Sequence, residues 1–178
     1  MLLHRAVFLD RDGVLNRERG EYTYRPEDFD ILPGVCESLH KLQGAGFRLI
    51  VVTNQGGISK GLYDTADVLR CHHYLMQQCG ITLDDLFFAP IHPSVSRSLA
   101  FKPHSLMLER AIALHRICAA RSWMVGDSIR DIEAAQKVGL RTIFIKDKKE
   151  SACESADYVA HSLAEASEII LSVPERRD

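Results

Sequence analysis

The chain has 178 residues, 46% of them hydrophobic, and its 22 basic residues nearly balance 24 acidic ones for a formal net charge of -2. That length and apolar fraction predict one globular domain over residues 1–178 with a substantial core. The balanced charge leaves no general footprint for nucleic acid, and no apolar run approaches the roughly 20 residues that span a bilayer, so neither nucleic acid nor membrane is an expected partner.

The first residues, MLLHRAVFLDRDG, break their apolar run at His4, Arg5 and Asp10, unlike the core of a secretory leader, so a soluble cytoplasmic protein is expected. Cys36, Cys71, Cys79, Cys118 and Cys153 form no CxxC pair, and their odd number sits poorly with a complete disulfide framework. A reducing compartment and a monomeric protein acting on a small molecule are expected.

Residues 6–9 are a short apolar run ending in charge, as a buried parallel strand does when it delivers its last residues to a site. Residues 17–33 are polar and irregular and predict a flap, after which 35–42 reads as an amphipathic helix closed by Gly44 and Gly46. A β-branched run over 47–52 predicts a central strand that delivers Thr53, Asn54 and Gln55. Asp64 or Thr65 caps a predicted helix running to about Gln78 with Gly80 as its stop, and 86–91 reads as the next strand. Lys102-Pro103 leads into a helix whose predicted apolar face includes Leu106, Ala111, Leu114 and Ile117. Residues 123–125 then predict a strand ending at Gly126-Asp127, 129–138 a helix, 142–145 a strand, 163–171 a terminal helix and 174–178 a frayed tail. Alternating strands and helices imply an α/β fold, a doubly wound parallel sheet with ligands bound beyond the carboxyl ends of its strands.

The polar clusters lie at those ends. Asp10 and Asp12 stand two residues apart, so an extended backbone directs both toward one pocket. Two acids so placed repel each other, and Mg2+ would offset this while accepting carboxylate, carbonyl, water and phosphate oxygens together. One carboxylate could then attack phosphorus while the other moves a proton. Thr53, Asn54 and the glycines after them offer hydroxyl, amide and backbone N–H donors to phosphate oxygens. Lys102 could neutralise a transferring phosphoryl group, and Asp127 is placed to complete the metal site. Asp131, with Ser128 beside it, fits helix capping or support of the metal ligands from behind as well as direct ligation. Each cluster alone also suits an ordinary role as a solvated loop, a turn, a surface lysine or a helix cap. Four of them in one parallel α/β order are hard to obtain as independent accidents.

At these residues the chain resembles the haloacid dehalogenase (HAD) superfamily of phosphohydrolases along nearly its whole length. The four motifs stand in order as Asp10-Arg-Asp12-Gly-Val-Leu-Asn16, Thr53, Lys102 and Gly126-Asp127 with Asp131. FLDRDGVLN, VVTNQGGISKG and VGDSIRDIEAA are most similar to subfamily IIIA, the branch of histidinol-phosphatases and heptose bisphosphate phosphatases. That branch has no large cap domain, which the short flap fits. The resemblance implies that Asp10 is a nucleophile forming an aspartyl-phosphate and that Asp12 protonates the leaving alcohol and then activates water. It implies phosphoryl binding by Thr53 and Lys102, a substrate side lined by Asn54 and Gln55, and Mg2+ held by Asp10, the Asp12 backbone carbonyl and Asp127. The substrate it implies is a small phosphorylated metabolite, foremost a heptose bisphosphate, with histidinol phosphate or another small phosphate ester as the alternative.

The chain departs from that branch in two places. Many members hold a structural zinc with three cysteines and a histidine before the motif-three lysine, whereas no cysteine occurs between Cys79 and Cys118 here. His92 alone cannot build a tetrahedral sulfur-rich site, so no zinc is expected and His92 reads as a loop residue. Phe101 stands where many heptose bisphosphate phosphatases have an arginine, which removes one bidentate grip on a second phosphate.

Cys71-His72-His73 could suggest a metal cluster, but successive helical residues diverge by about 100°, so core packing by Cys71, Leu75 and Cys79 is expected instead. Residues 147–150 read as a solvated loop. A phospho-accepting receiver domain would also use a doubly wound sheet, aspartates, threonine and lysine. Its acceptor aspartate should end a later strand, where this chain has Thr53-Asn54. A non-catalytic binding protein is opposed by the presence of every expected reacting group.

Overall fold

The structure, a computed structural model, describes residues 3–146 and 153–174. The strands are β1 (Ala6–Leu9), β2 (Arg48–Asn54), β3 (Asp85–Ala89), β4 (Trp123–Gly126), β5 (Arg141–Ile145) and β6 (Tyr158–Ala160). The helices are α1 (Val35–Gly44), α2 (Thr65–Cys79), α3 (Leu106–His115), α4 (Ile129–Gln136) and α5 (Leu163–Ser172). The strands form one parallel sheet in the order β3-β2-β1-β4-β5-β6. The apolar run of β1 is central because the sheet is covered on both faces. Val7 and Leu9 enter a core with residues of α1, α2 and α5, while Ala6 and Phe8 enter a second core with residues of α3 and α4. This is the period-two alternation of a strand expressed in two apolar layers.

Chain order reverses between β1 and β4, so the connections leaving these neighbours go to opposite sides and open a crevice at their carboxyl ends. Asp10 follows β1 and Asp127 follows β4, and the Asp10 N–H donates to the Val125 carbonyl at 3.0 Å. Topology therefore places both acids at the switch point. Between β1 and α1 the flap is tied down by Arg17 N–H to the Asp30 carbonyl and by burial of Thr23 and Phe29, with one short 3-10 turn at Pro26–Asp28.

Local capping chemistry sets the helix starts. Asp64 and Asp67 form a reciprocal capping box at α2, and Ser128 and Asp131 form one at α4. Gly80 closes α2 with φ 62°.

Several expectations need correction. In α3 the buried stripe is Met107, Leu108 and Ala111, and Leu106 and Leu114 flank it in solvent at 37% and 68% exposure. Ile117 is buried beyond the helix, where the chain runs alongside His4. The edge strand β6 was not expected, since its apolar run is only three residues long and two of them are exposed. The cysteines are not all reduced: Cys36 of α1 and Cys79 at the end of α2 are disulfide-bonded with Cα atoms 4.7 Å apart, while Cys71 and Cys153 keep free thiols. Which cysteines meet depends on how helices pack across 43 residues of sequence, which counts and spacings do not encode. Cys71 and Leu75 are core residues as expected, joined by a buried His72, and His73 faces solvent. The expected loop at 147–150 and the tail beyond Pro174 lie outside the described residues.

Candidate active site

A cavity of about 750 Å³ opens at the carboxyl ends of β1, β2 and β4, and Asp10, Asp12, Thr53, Lys102, Asp127 and Asp131 all line it. At its floor Asp10, Asp127 and Asp131 bring carboxylate oxygens within 4.8 Å of one another. Lys102, only 2% exposed, is set among them. Its ammonium lies 2.9 Å from Asp10 Oδ1 and 2.5 Å from Asp131 Oδ1, and it donates to the Val52 carbonyl at 2.8 Å. Burial by itself lowers the Lys102 pKa, but the charges of Asp10 and Asp131 outweigh it and hold the lysine above its ordinary value.

One ammonium does not balance three carboxylates. Burial, reinforced by the negative charges of Asp10 and Asp131, pushes the Asp127 carboxyl up to about 8, with Lys102 pulling the other way. Burial and the Asp10 charge raise Asp131 too. The surplus negative charge is what a bound dication would relieve, and an all-oxygen donor set suits a hard cation such as Mg2+. Asp131 reaches the cluster from α4 with one oxygen accepting the Ser128 N–H at 3.0 Å and the other paired to Lys102. Both oxygens thus face donors of the protein. Gly13 has φ +82°, and a Cβ there would fall on the Asp127 carboxylate, so only glycine lets the β1 loop approach this acid.

Asp10 Oδ1 accepts the Arg11 N–H at 2.7 Å as well as lying against Lys102. Asp12 is held differently. Arg11, whose side chain is 1% exposed, grips it through Nε at 3.2 Å and Nη2 at 2.8 Å, and Asn16 Nδ2 donates to Asp12 Oδ1 at 2.9 Å. Arg11 Nη2 also donates to the Thr23 carbonyl of the flap at 2.7 Å. Sequence reasoning missed Arg11 because an arginine beside an aspartate reads as surface charge. Only the flap folding over it buries the guanidinium.

The strand-end residues after β2 do separate jobs. Thr53 lines the cavity. Asn54 lines it too, but its amide clamps the Lys102 backbone, accepting N–H at 2.9 Å and donating to the carbonyl at 3.2 Å. Gln55 was expected on the substrate side and is instead buried, 1% exposed, its side chain spent between Thr53 and Tyr63. Thr53 and Gln55 lie on one side of the extended chain, where Gln55 Nε2 reaches the Thr53 hydroxyl and Tyr63 takes up the Gln55 oxygen. Ser128 caps α4, accepting from Arg130 N–H at 3.4 Å, and Arg130 itself is exposed on the cavity rim. Phe101 is buried against His92, with ring centroids 5.8 Å apart, and His92 Nδ1 pairs with Ser94 Oγ at 2.7 Å.

Known proteins resemble the chain in sequence and fold. The HAD-hydrolase-like family model matches residues 100–166. The chain is 33% identical to the D-glycero-D-manno-heptose-1,7-bisphosphate 7-phosphatase of Chlorobaculum tepidum, covering 98% of each. It is also 33% identical to the D-glycero-beta-D-manno-heptose-1,7-bisphosphate 7-phosphatase of Escherichia coli K12, covering 93% of each. The crystal structure of D,D-heptose 1,7-bisphosphate phosphatase from B. bronchiseptica, complexed with magnesium and phosphate, superposes with a TM-score of 0.85 at 27% identity over 94% of this chain and 98% of that one. Among the described residues no helix is long and apolar enough to cross a membrane. With its parallel sheet, its acidic cluster at the switch point and relatives alike over nearly their whole length, the chain belongs to the HAD-like hydrolases and is a phosphatase.

Proposed function

We propose that the whole chain, with residues 17–33 as a flap, is a Mg2+-dependent phosphatase that removes one phosphate from a heptose bisphosphate through an aspartyl-phosphate. The observation that carries this reading is the convergence of Asp10, Asp127 and Asp131 around Lys102, with Thr53 on the same cavity. Asp10 and Asp127, with the Asp12 backbone carbonyl, would hold Mg2+, which when bound neutralises the acid cluster and polarises a phosphoryl oxygen. Asp10 attacks phosphorus, and the bond from phosphorus to the ester oxygen breaks while Asp12 gives that oxygen a proton. Asp12 then takes a proton from water as the water attacks the aspartyl-phosphate, releasing inorganic phosphate and restoring Asp10. Thr53 and Lys102 bind the phosphoryl oxygens during both steps. To act, Asp12 must exchange its hold on Arg11 and Asn16 for the leaving oxygen.

A bisphosphate is supported by the relatives' substrates and by Arg130, the exposed cation on the cavity rim, which offers the second phosphate the guanidinium that Phe101 cannot. The test is a panel of sugar phosphates, sugar bisphosphates and histidinol phosphate assayed with Mg2+. A heptose 1,7-bisphosphate should rank first by kcat/KM, and a first place for histidinol phosphate would overturn the substrate. Asp10→Asn should abolish turnover, and an active variant would overturn the nucleophile.

A further inference from the structure

Thr53 Oγ1 carries one proton and can accept as well as donate, so which way it donates must be settled by its neighbours. Gln55 Nε2 donates to this oxygen at 3.0 Å. The Thr53 proton therefore cannot point at Gln55 and is left to donate elsewhere. The Gln55 amide would serve equally badly or well if flipped, unless something fixes it. Tyr63 does so: its phenol oxygen accepts from the Gly57 backbone N–H, which leaves the phenol proton for Gln55 Oε1 at 2.7 Å. Burial pushes that phenol up to about 12, so it keeps its proton through the working range of pH.

The phenol is itself built in. Tyr63 is 7% exposed, a Cβ on Gly57 would collide with its ring, and Tyr24 of the flap stacks on it with centroids 5.2 Å apart and planes 7° apart. No solvent or mobile group is needed to set the chain of donors. Each bond runs one way, from the phenol to the amide and from the amide to the hydroxyl.

We propose that Tyr63 and Gln55 are positioning residues that commit the Thr53 hydroxyl to donating toward a bound phosphoryl oxygen. This rests on the phosphoryl-binding role of Thr53 proposed above. A threonine whose proton is already directed into the site loses no hydrogen bond when phosphate arrives and needs no rearrangement as charge builds on the phosphoryl oxygens.

Gln55→Glu tests the direction with little change of shape, because an ionised carboxylate only accepts and draws the Thr53 proton to itself. Kinetics with p-nitrophenyl phosphate and Mg2+ followed from about pH 7 to about pH 10, a range in which even a carboxyl raised by burial ionises, compare the full-length variants. The loss expected for Gln55→Glu is roughly tenfold to a hundredfold in kcat/KM, the scale of a hydrogen bond to a charged group. Tyr63→Phe removes a single oxygen from a buried ring and keeps the test alive if Gln55→Glu does not fold. Its expected loss is roughly threefold to tenfold, since the amide is released but not inverted. Thr53→Ser, which keeps the hydroxyl, should stay active and stay sensitive to Gln55→Glu. In a Thr53→Ala background both changes should cost less than about twofold, because nothing remains for them to orient.

The relay is overturned if Thr53→Ala lowers kcat/KM while Gln55→Glu and Tyr63→Phe do not. It is equally overturned if their losses persist in full on Thr53→Ala, which would mean that they act through the fold and not through the hydroxyl. A Thr53→Ala enzyme with unchanged kinetics would instead remove the phosphoryl-binding role of Thr53, and the relay with it.

Discussion

His72 should make this protein lose stability as pH falls, by an amount its surroundings determine. It lies in α2 at 2% exposure, its Nδ1 is 2.8 Å from the Val68 carbonyl, and its Nε2 has no partner among the described residues. Burial lowers its pKa from 6.5 to about 4, the nearby Arg11 charge pushes the same way, and the Val68 contact opposes them. Above 6.5 the ring is neutral in both folded and unfolded chains and contributes nothing to the pH dependence. Below it the unfolded chain takes up a proton that the folded chain refuses, so stability falls until the folded ring also protonates near 4. The whole drop is worth about 3 kcal/mol at about 1.4 kcal/mol for each pH unit, and about 2 kcal/mol of it falls between about pH 7 and about pH 4.5. Other groups titrate over the same range, so the quantity to measure is a difference. Urea unfolding of wild type and His72→Gln at both pH values should show the wild type losing about 2 kcal/mol more than the variant. Equal losses would refute the reasoning, since a histidine that protonates as easily folded as unfolded leaves no such difference.

Lys102→Met should leave Asp10 and Asp131 without their ammonium, and urea unfolding in the absence of added metal should show a loss of about 3–5 kcal/mol, the scale for removing one partner of a buried charge pair. Gly13→Ala should push the Asp127 carboxylate aside, so the variant should lose most of the rise in melting temperature that Mg2+ gives the wild type. An unchanged rise would show that Asp127 does not hold the ion. Cys36→Ser opens a loop closed across 43 residues and should cost about 4 kcal/mol in unfolding under non-reducing conditions. Intact mass with and without reductant checks that the bond exists in the purified protein.

Asp10, Asp12, Asp127 and the strands that present them were legible in the sequence because their signals are local. A short apolar run ending in acid is complete within a few residues, and alternation of such runs with helical stretches implies a parallel sheet whose carboxyl ends share one side. The α2 cap at Asp64 and the stop at Gly80 were legible for the same reason, each depending on its own turn of chain. Tertiary structure alone decided the rest. Arg11 becomes the grip on Asp12 only because the flap carbonyl of Thr23 and the ring of Phe29 close over it. Gln55 turns from a substrate contact into a buried link because Tyr63, eight residues on, reaches back to it. Cys36 and Cys79 meet, and Leu114 does not reach the sheet, through the packing of whole helices. Periodicity tells which side of an element is apolar, but the partner of a hydrogen bond or a thiol is chosen by distance in space, and for these residues that distance is set by elements far away in the chain.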